Sequence, residues 1–291
     1  MTLSPQSVGV GLRHEHYYDA IDTPADIDFV EVHAENLFMQ GGIVKDIMHK
    51  ARHHYALSIH ATSLGLGSVT APSDHVLEQL KQLADEFSPE LLSDHACFNR
   101  AYVHGKQIHT GDLLPLRYNT ESLDILARHV DKAQVTLQRP LLIENLSIYI
   151  EQPSNSLSEF AFLARLSEKT GCKLLLDLNN ILVNQYNRFI MAGEPFPAFD
   201  ITMALDEIAP IKADMIGEIH LAGTTPAAPA KLMIDDHART VSDSCWALYQ
   251  AVIEAYGPAP TLIEWDQNLP AWETLVSLAQ HAKSIQQQVL I

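Results

Sequence analysis

Six short apolar runs each carry, at or near their end, a side chain that binds metals. His60 lies in "LSIHA", His95 in "LLSDH", Glu144 in "LLIEN", Asp177 in "LLLDLN", His220 in "GEIHLAG" and Glu264 in "TLIEW". Asn180 follows Asp177 by three residues, and Asp235 and His237 stand together in "IDDHART". A charged group within an apolar strand is costly unless it is paired or holds a cation. Imidazoles mixed with carboxylates, without thiolates, suit first-row ions such as iron, manganese or zinc. These nine donors exceed the roughly four to six that one ion takes. Glu144 and Glu264 can bridge ions, so two or three ions a few Å apart are expected, with Glu144, Asp177 and Glu264 as the acids that carry catalysis.

Each residue taken singly is weak evidence. A lone strand histidine is ordinarily a hydrogen-bonded core residue. Glu144 and Asp177 equally fit the acid and base of a metal-free barrel hydrolase. Recurrence at equivalent positions of six runs is what favours a polynuclear centre. Two further residues are candidate substrate contacts: Glu35, just past the second run in "VHAENLF", and His109 in "HTGDLLPLRYN". His14, His16, His33 and His104 read as surface or structural residues.

The elements that must position these groups follow from the apolar pattern. Eight runs recur, at 8–12, 29–32, 57–61, 91–95, 141–145, 174–179, 217–223 and 261–265. They are continuous rather than alternating, as parallel strands covered on both faces are. Helical patterns lie between them. One, 73–87, starts at a Ser73 cap; another, 156–171, opens on a capping box of Ser156 and Glu159 and closes at Gly171. A third, 243–257, stops at Gly257, and 271–285 forms a C-terminal helix. Strand and helix in alternation predict an α/β fold, a (β/α)8 TIM barrel, as a single domain over residues 1–291. Long loops are expected at 96–119, 180–199 and 223–242; all follow strands and so lie at the face where barrel active sites sit.

Composition narrows the partners. A net charge of −17 over 291 residues argues against nucleic-acid binding by phosphate neutralisation. No stretch approaches the roughly 18 apolar residues of a membrane span. The start, "MTLSPQSVGVGLR", lacks the pattern of an export signal. Cys97, Cys172 and Cys245 are too scattered for a disulfide framework, which points to the cytoplasm.

The blocks "GVGLR", "VEVHAENLF", "SIHATSLGLGS", "LSDHACF", "LLIENLSIY", "LLLDLNNILVN", "GEIHLAG", "IDDHART" and "LIEWD" together resemble the DUF692 (UPF0276) family. This is a family of multinuclear non-haem iron-dependent oxidative enzymes that includes the oxidase of methanobactin biosynthesis. The resemblance covers nearly the whole chain. It implies a TIM barrel with two or three iron ions (Fe2+/Fe3+) at its mouth and O2 as co-substrate. It also implies oxidation of cysteine in a ribosomally synthesised precursor peptide, with a small partner protein presenting that peptide. More widely, the ligand order resembles that of endonuclease IV, a relative of the xylose isomerase-like barrels. Asn180 departs from it, standing where the zinc nuclease has histidine, and a neutral oxygen there suits iron better than zinc. A divalent-metal-dependent hydrolase or sugar isomerase on the same barrel, and a non-catalytic metal-binding protein, stay open as alternatives.

Overall fold

Ten strands are present in a computed structural model that describes residues 2–39, 41–150, 152 and 155–289. They are β1 (Val8–Gly11), β2 (Phe29–His33), β3 (Ala56–His60), β4 (Leu91–His95), β5 (Cys97–Val103), β6 (Lys106–Pro115), β7 (Leu142–Glu144), β8 (Lys173–Asp177), β9 (Ile216–Leu221) and β10 (Thr261–Ile263). Eight of them close a parallel barrel in the order β1-β10-β9-β8-β7-β4-β3-β2. Those eight are the apolar runs of the sequence, and their continuity reflects burial on both faces, as in the four fully buried residues of β1.

Helices α1 (Tyr17–Asp22), α2 (Ile43–Ala51), α3 (Asp74–Phe87), α4 (Thr120–Leu137), α5 (Glu159–Thr170), α6 (Leu178–Met191), α7 (Ile201–Ile208), α8 (Asp243–Tyr256) and α9 (Trp272–Val289) connect the strands. In α3 the buried residues Leu77, Leu80, Leu83, Ala84 and Phe87 form one stripe. Burying each large side chain of that kind contributes roughly 1.5–3 kcal/mol. Ser73 stands at the N-cap of α3, although its side chain caps no backbone N–H. No helix among the described residues is long and apolar enough to cross a membrane.

The expected loops differ from what is found. Segment 96–119 holds the antiparallel hairpin β5–β6, a two-stranded sheet separate from the barrel. Segment 180–199 is helical to Met191, because Asp177 ends β8 and caps α6 at once: its Oδ1 accepts from the Asn180 N–H at 2.7 Å. Segment 223–242 is irregular and closes through a bridge between Gly223 and Arg239. A Cβ at Gly223 would lie 1.9 Å from the Thr240 carbonyl oxygen, so only glycine allows this approach.

The capping box of Ser156 and Glu159 does not form. Ser158 is the N-cap of α5 and accepts from the Ala161 N–H at 3.3 Å. Glu159 is taken elsewhere: Oε1 accepts from Tyr118 Oη at 2.9 Å and from the Leu146 N–H at 3.1 Å. Burial raises this carboxyl to about 7, although both hydrogen bonds oppose the shift. The folded state therefore binds this proton more tightly than the unfolded chain. Stability is lost as pH rises from about 4.5 to about 7. Glu159→Gln keeps the acceptor and removes the ionisation. The variant should melt like wild type near pH 5 and higher than wild type near pH 8 in thermal scans; equal melting across that range would contradict this reading.

Candidate metal centre

Strand register sets the site. In parallel pairing His33 lies beside His60, His95 beside Glu144, and Asp177 beside His220. These residues end or nearly end their strands, so their side chains meet at the carboxyl-terminal mouth of the barrel. A cavity of about 210 Å3 opens there, lined by His33, His60, His95, Glu144, Asn180, Asp235, His237, Glu264 and Asp266. Asp177 and His220 lie fully buried beneath it.

Three triads hold ligand atoms within 4.8 Å of one another: His60, His95 and Glu144; Glu144, Asp177 and His220; and Asp177, His237 and Glu264. Adjacent triads share Glu144 or Asp177, which is what bridging carboxylates require. Glu144 Oε2 lies 3.4 Å from His60 Nε2 and 3.1 Å from His95 Nε2. His60 Nδ1 is 2.7 Å from Ser93 Oγ, which leaves Nε2 for the cavity. Buried atoms Glu144 Oε2 and Asp177 Oδ2 have no hydrogen-bond partner, and His237 Nε2 faces only the carboxylates of Asp235 and Asp177. Unsatisfied donors and acceptors gathered in one place fit a bound cation far better than a self-contained polar network.

Protonation supports the same conclusion. Burial, reinforced by the neighbouring imidazoles His95 and His220, holds His60 well below the usual range. Burial takes His95 down to about 4 against the pull of Glu264. Both rings are therefore neutral near pH 7, the form that ligates metal. Glu144 is pushed up by burial and by the charges of Asp177 and Glu264 against the opposing effect of His220. His220 and His237 go the other way. Burial would lower them, but Glu31 and Glu264 raise His220, and Asp235 and Glu264 raise His237. Protons thus balance an acid excess that divalent ions would balance instead.

A fourth triad, His33, Glu264 and Asp266, already has a cation. Arg13, buried, donates from Nε to Asp266 Oδ1 at 2.8 Å and from Nη2 to the same oxygen at 2.6 Å. Its Nη2 also lies 3.3 Å from His33 Nε2 and 3.7 Å from Glu264 Oε1. We therefore assign that triad to the guanidinium rather than to an ion.

The whole-chain comparison decides the family. Residues 7–287 match the RiPP precursor modification enzyme family MbnB/TglH/ChrH, whose members act on ribosomally made peptide precursors. The chain belongs to that family. Its relatives include the UPF0276 protein of Chromobacterium violaceum, 39% identical over 98% of this chain and 96% of the relative. Another is a UPF0276 protein of Vibrio parahaemolyticus, 39% identical over 97% of this chain and 93% of the relative. Among solved structures, D-psicose 3-epimerase from Clostridium cellulolyticum superposes with a TM-score of 0.59 at 11% identity, covering 98% of this chain and 99% of that one. Endonuclease IV from Thermus thermophilus gives 0.58 at 12% identity, covering 98% of each chain. At such identities the likeness concerns the barrel alone.

Within this family member, the mouth brings together His60, His95, Glu144, Asp177, His220, His237 and Glu264. Asp235 joins them through His237 Nε2 at 2.7 Å and also accepts from Asn179 Nδ2 at 2.8 Å. His237 adopts φ +43°, an uncommon conformation for a residue with a Cβ. The Asp266 N–H donates to the His237 carbonyl at 2.9 Å, which anchors this turn against the end of β10. Asn180 lines the cavity, but its amide is engaged at both ends: Oδ1 accepts from Ser147 Oγ and Nδ2 donates to the Asn145 carbonyl.

The two expected substrate contacts lie outside the cavity lining. Glu35 accepts from the Thr62 N–H at 2.9 Å and so ties the turn after β2 to the one after β3. His109 is exposed on β6, its Nδ1 accepting from the Gly111 N–H; Asp112 and Leu113 of that strand reach the cavity instead. Sequence reasoning missed Arg13, Glu31, Tyr149, Glu218 and Asp266, and read His33 as structural. A signal existed for two of them. "VEVH" and "GEIH" share Glu-x-His, and the two-residue period of a strand puts both members on the inner face.

Proposed function

We propose that this protein is an oxidoreductase that uses two or three iron ions and O2 to modify cysteine residues of a ribosomally synthesised precursor peptide. The observation that carries it is the set of buried imidazole and carboxylate ligand atoms gathered from five barrel strands and the segments after β9 and β10 into a single mouth. Family membership supplies the substrate class. Imidazole and carboxylate donors without a nearby thiolate favour iron over a structural zinc site.

His60, His95 and Glu144 would hold one ion, Glu144, Asp177 and His220 a second, and Asp177, His237 and Glu264 a third. When bound, iron supplies an Fe2+/Fe3+ couple that can take a thiolate and reduce O2. The chain's own groups do the rest. Leu113 and Leu146 give this otherwise polar cavity an apolar patch against which a substrate side chain can rest. Burial, with the charge of Asp235, pushes the Tyr149 phenol up to about 12, so it stays protonated at neutral pH and can donate to substrate. His109, exposed on the hairpin, acts further out where the peptide enters, and Glu35 holds together the turns after β2 and β3 beside that entrance. A separate small protein presents the peptide, and the reaction runs in the reducing cytoplasm, where a precursor thiol persists.

The test is metal analysis of protein purified without oxygen, followed by O2 uptake and mass spectrometry with a cysteine-containing precursor peptide. More than one iron per chain, O2 uptake that requires the peptide, and a mass change lost on Cys→Ser substitution in the peptide are expected. Zinc or manganese with turnover in the absence of O2 would instead establish a hydrolase or isomerase. A full protein coordination shell with no turnover would establish a metal-binding protein.

A further inference from the structure

Below the mouth, on the barrel floor, stand two carboxylates outside the three ion sites proposed above, although Glu31 has a ligand atom within 4.8 Å of His220 and Glu264. Glu31 of β2 and Glu218 of β9 are each 0% exposed. Each precedes a mouth histidine by two residues, so each lies one layer deeper on the same inner face. Glu31 Oε2 accepts from Ser58 Oγ at 2.9 Å. Glu31 Oε1 and both oxygens of Glu218 have no hydrogen-bond partner. Burying carboxyl oxygens without partners costs several kcal/mol in general, so their retention calls for a role.

His220 separates this floor from the mouth. Its Nδ1 lies 3.0 Å from Glu264 Oε2, on the mouth side. Its Nε2 has no hydrogen-bond partner and faces the floor, 3.5 Å from Glu31 Oε2 and 3.8 Å from Glu218 Oε1. The imidazole therefore spans the two layers with one nitrogen in each. A neutral ring carries one proton, and the acceptor on one side decides which nitrogen keeps its lone pair.

We infer that Glu31 and Glu218 are positioning residues: together they take the Nε2–H of His220, fix its tautomer, and leave Nδ1 as the donor to the metal centre. The inference rests on the reading of the mouth as a metal site. Ligating histidines commonly give their second N–H to a carboxylate, which orients the ring and raises its basicity. Here the acceptor is split between two strands, β2 and β9. Ser58 holds Glu31 in place, and Glu218 shares the strand of His220 itself. Glu31 lies at the outer limit of hydrogen-bond length from Nε2, and Glu218 a little beyond it.

The test uses the full chain. Protein with 15N-labelled imidazoles is loaded with Zn2+, a diamagnetic stand-in, and the His220 signals are assigned by their loss in His220→Asn. A protonated Nε2 is expected; a proton on Nδ1, or metal on Nε2, overturns the inference. In parallel, Co2+ is titrated into wild type, Glu31→Leu, Glu218→Leu and Glu218→Gln, with the visible spectrum as readout. The leucine variants should bind one ion about 10–100-fold more weakly and with an altered spectrum. Glutamine, which still accepts a hydrogen bond, should restore much of both. Wild-type affinity and spectrum in folded leucine variants overturn the inference while leaving the metal reading intact. Loss of a whole ion even at saturating Co2+ also overturns it, since the acids would then be ligands. Wild type that takes up neither metal overturns the metal reading, and this inference with it.

Discussion

Glu264→Ala should empty the mouth of more than one ion and reduce peptide oxidation by a factor on the order of a thousand or more, equivalent to ~4 kcal/mol in barrier. The expectation follows from position. Glu264 belongs to the triad with Asp177 and His237, and it also touches His220 of the neighbouring triad. Its Oε2 lies 3.0 Å from His220 Nδ1 and 3.3 Å from His237 Nδ1. Removing it takes charge away from two imidazoles that each face a different ion. Burial alone would push this carboxyl up, but His237 and His220 outweigh burial and keep it ionised. Glu264→Gln keeps the shape and loses that charge, so it should fall between wild type and alanine in metal content. Metal counting on anaerobically loaded protein checks this, with circular dichroism to show that the barrel stays folded. A loss of one ion or fewer would rule out bridging by Glu264.

What could be read in the sequence divides along physical lines. The barrel strands were legible because parallel strands buried on both faces must be apolar throughout, and eight such runs leave little choice of fold. Most ligand-type residues were legible for a related reason: a histidine or acid that interrupts such a run, as His220 interrupts "GEIHLAG", stands out against apolar neighbours. The hairpin was not legible. Its turn, His104-Gly105, has both residues at positive φ, 49° and 75°, the pattern of a type I′ turn. Histidine is a weak marker for that turn where asparagine would have been a strong one. Helix α6 was hidden because Asp177 serves two ends at once, closing a strand and capping a helix with no residue between. Arg13 was hidden for another reason. Its partner Asp266 is 253 residues away, and nothing local in "GVGLR" marks the arginine as the fixed cation of the site.

That arginine gives the largest expected effect on stability. Arg13→Met should destabilise the barrel by about 3 kcal/mol, the lower end for breaking a buried ion pair, because Asp266 keeps 29% exposure. For a chain of this size the corresponding fall in melting temperature is on the order of 6 °C. The cause is the acidic charge that stays behind without its cation; methionine still fills most of the space. Burial and the nearby Glu264 push the Asp266 carboxyl up, yet Arg13 and His237 overcome both and hold it at about 2. Without the guanidinium, Asp266 and Glu264 face each other across His33 with no fixed cation. Adding Asp266→Asn to Arg13→Met removes one of those charges and should recover a substantial part of the loss, a coupling that a double-mutant cycle measures directly. The melts are run with a chelator present, so that altered metal loading does not enter the comparison. If the single variant melts with wild type under those conditions, the guanidinium is not what balances the acids on this side of the mouth. The triad of His33, Glu264 and Asp266 would then have to be counted as a further ion site.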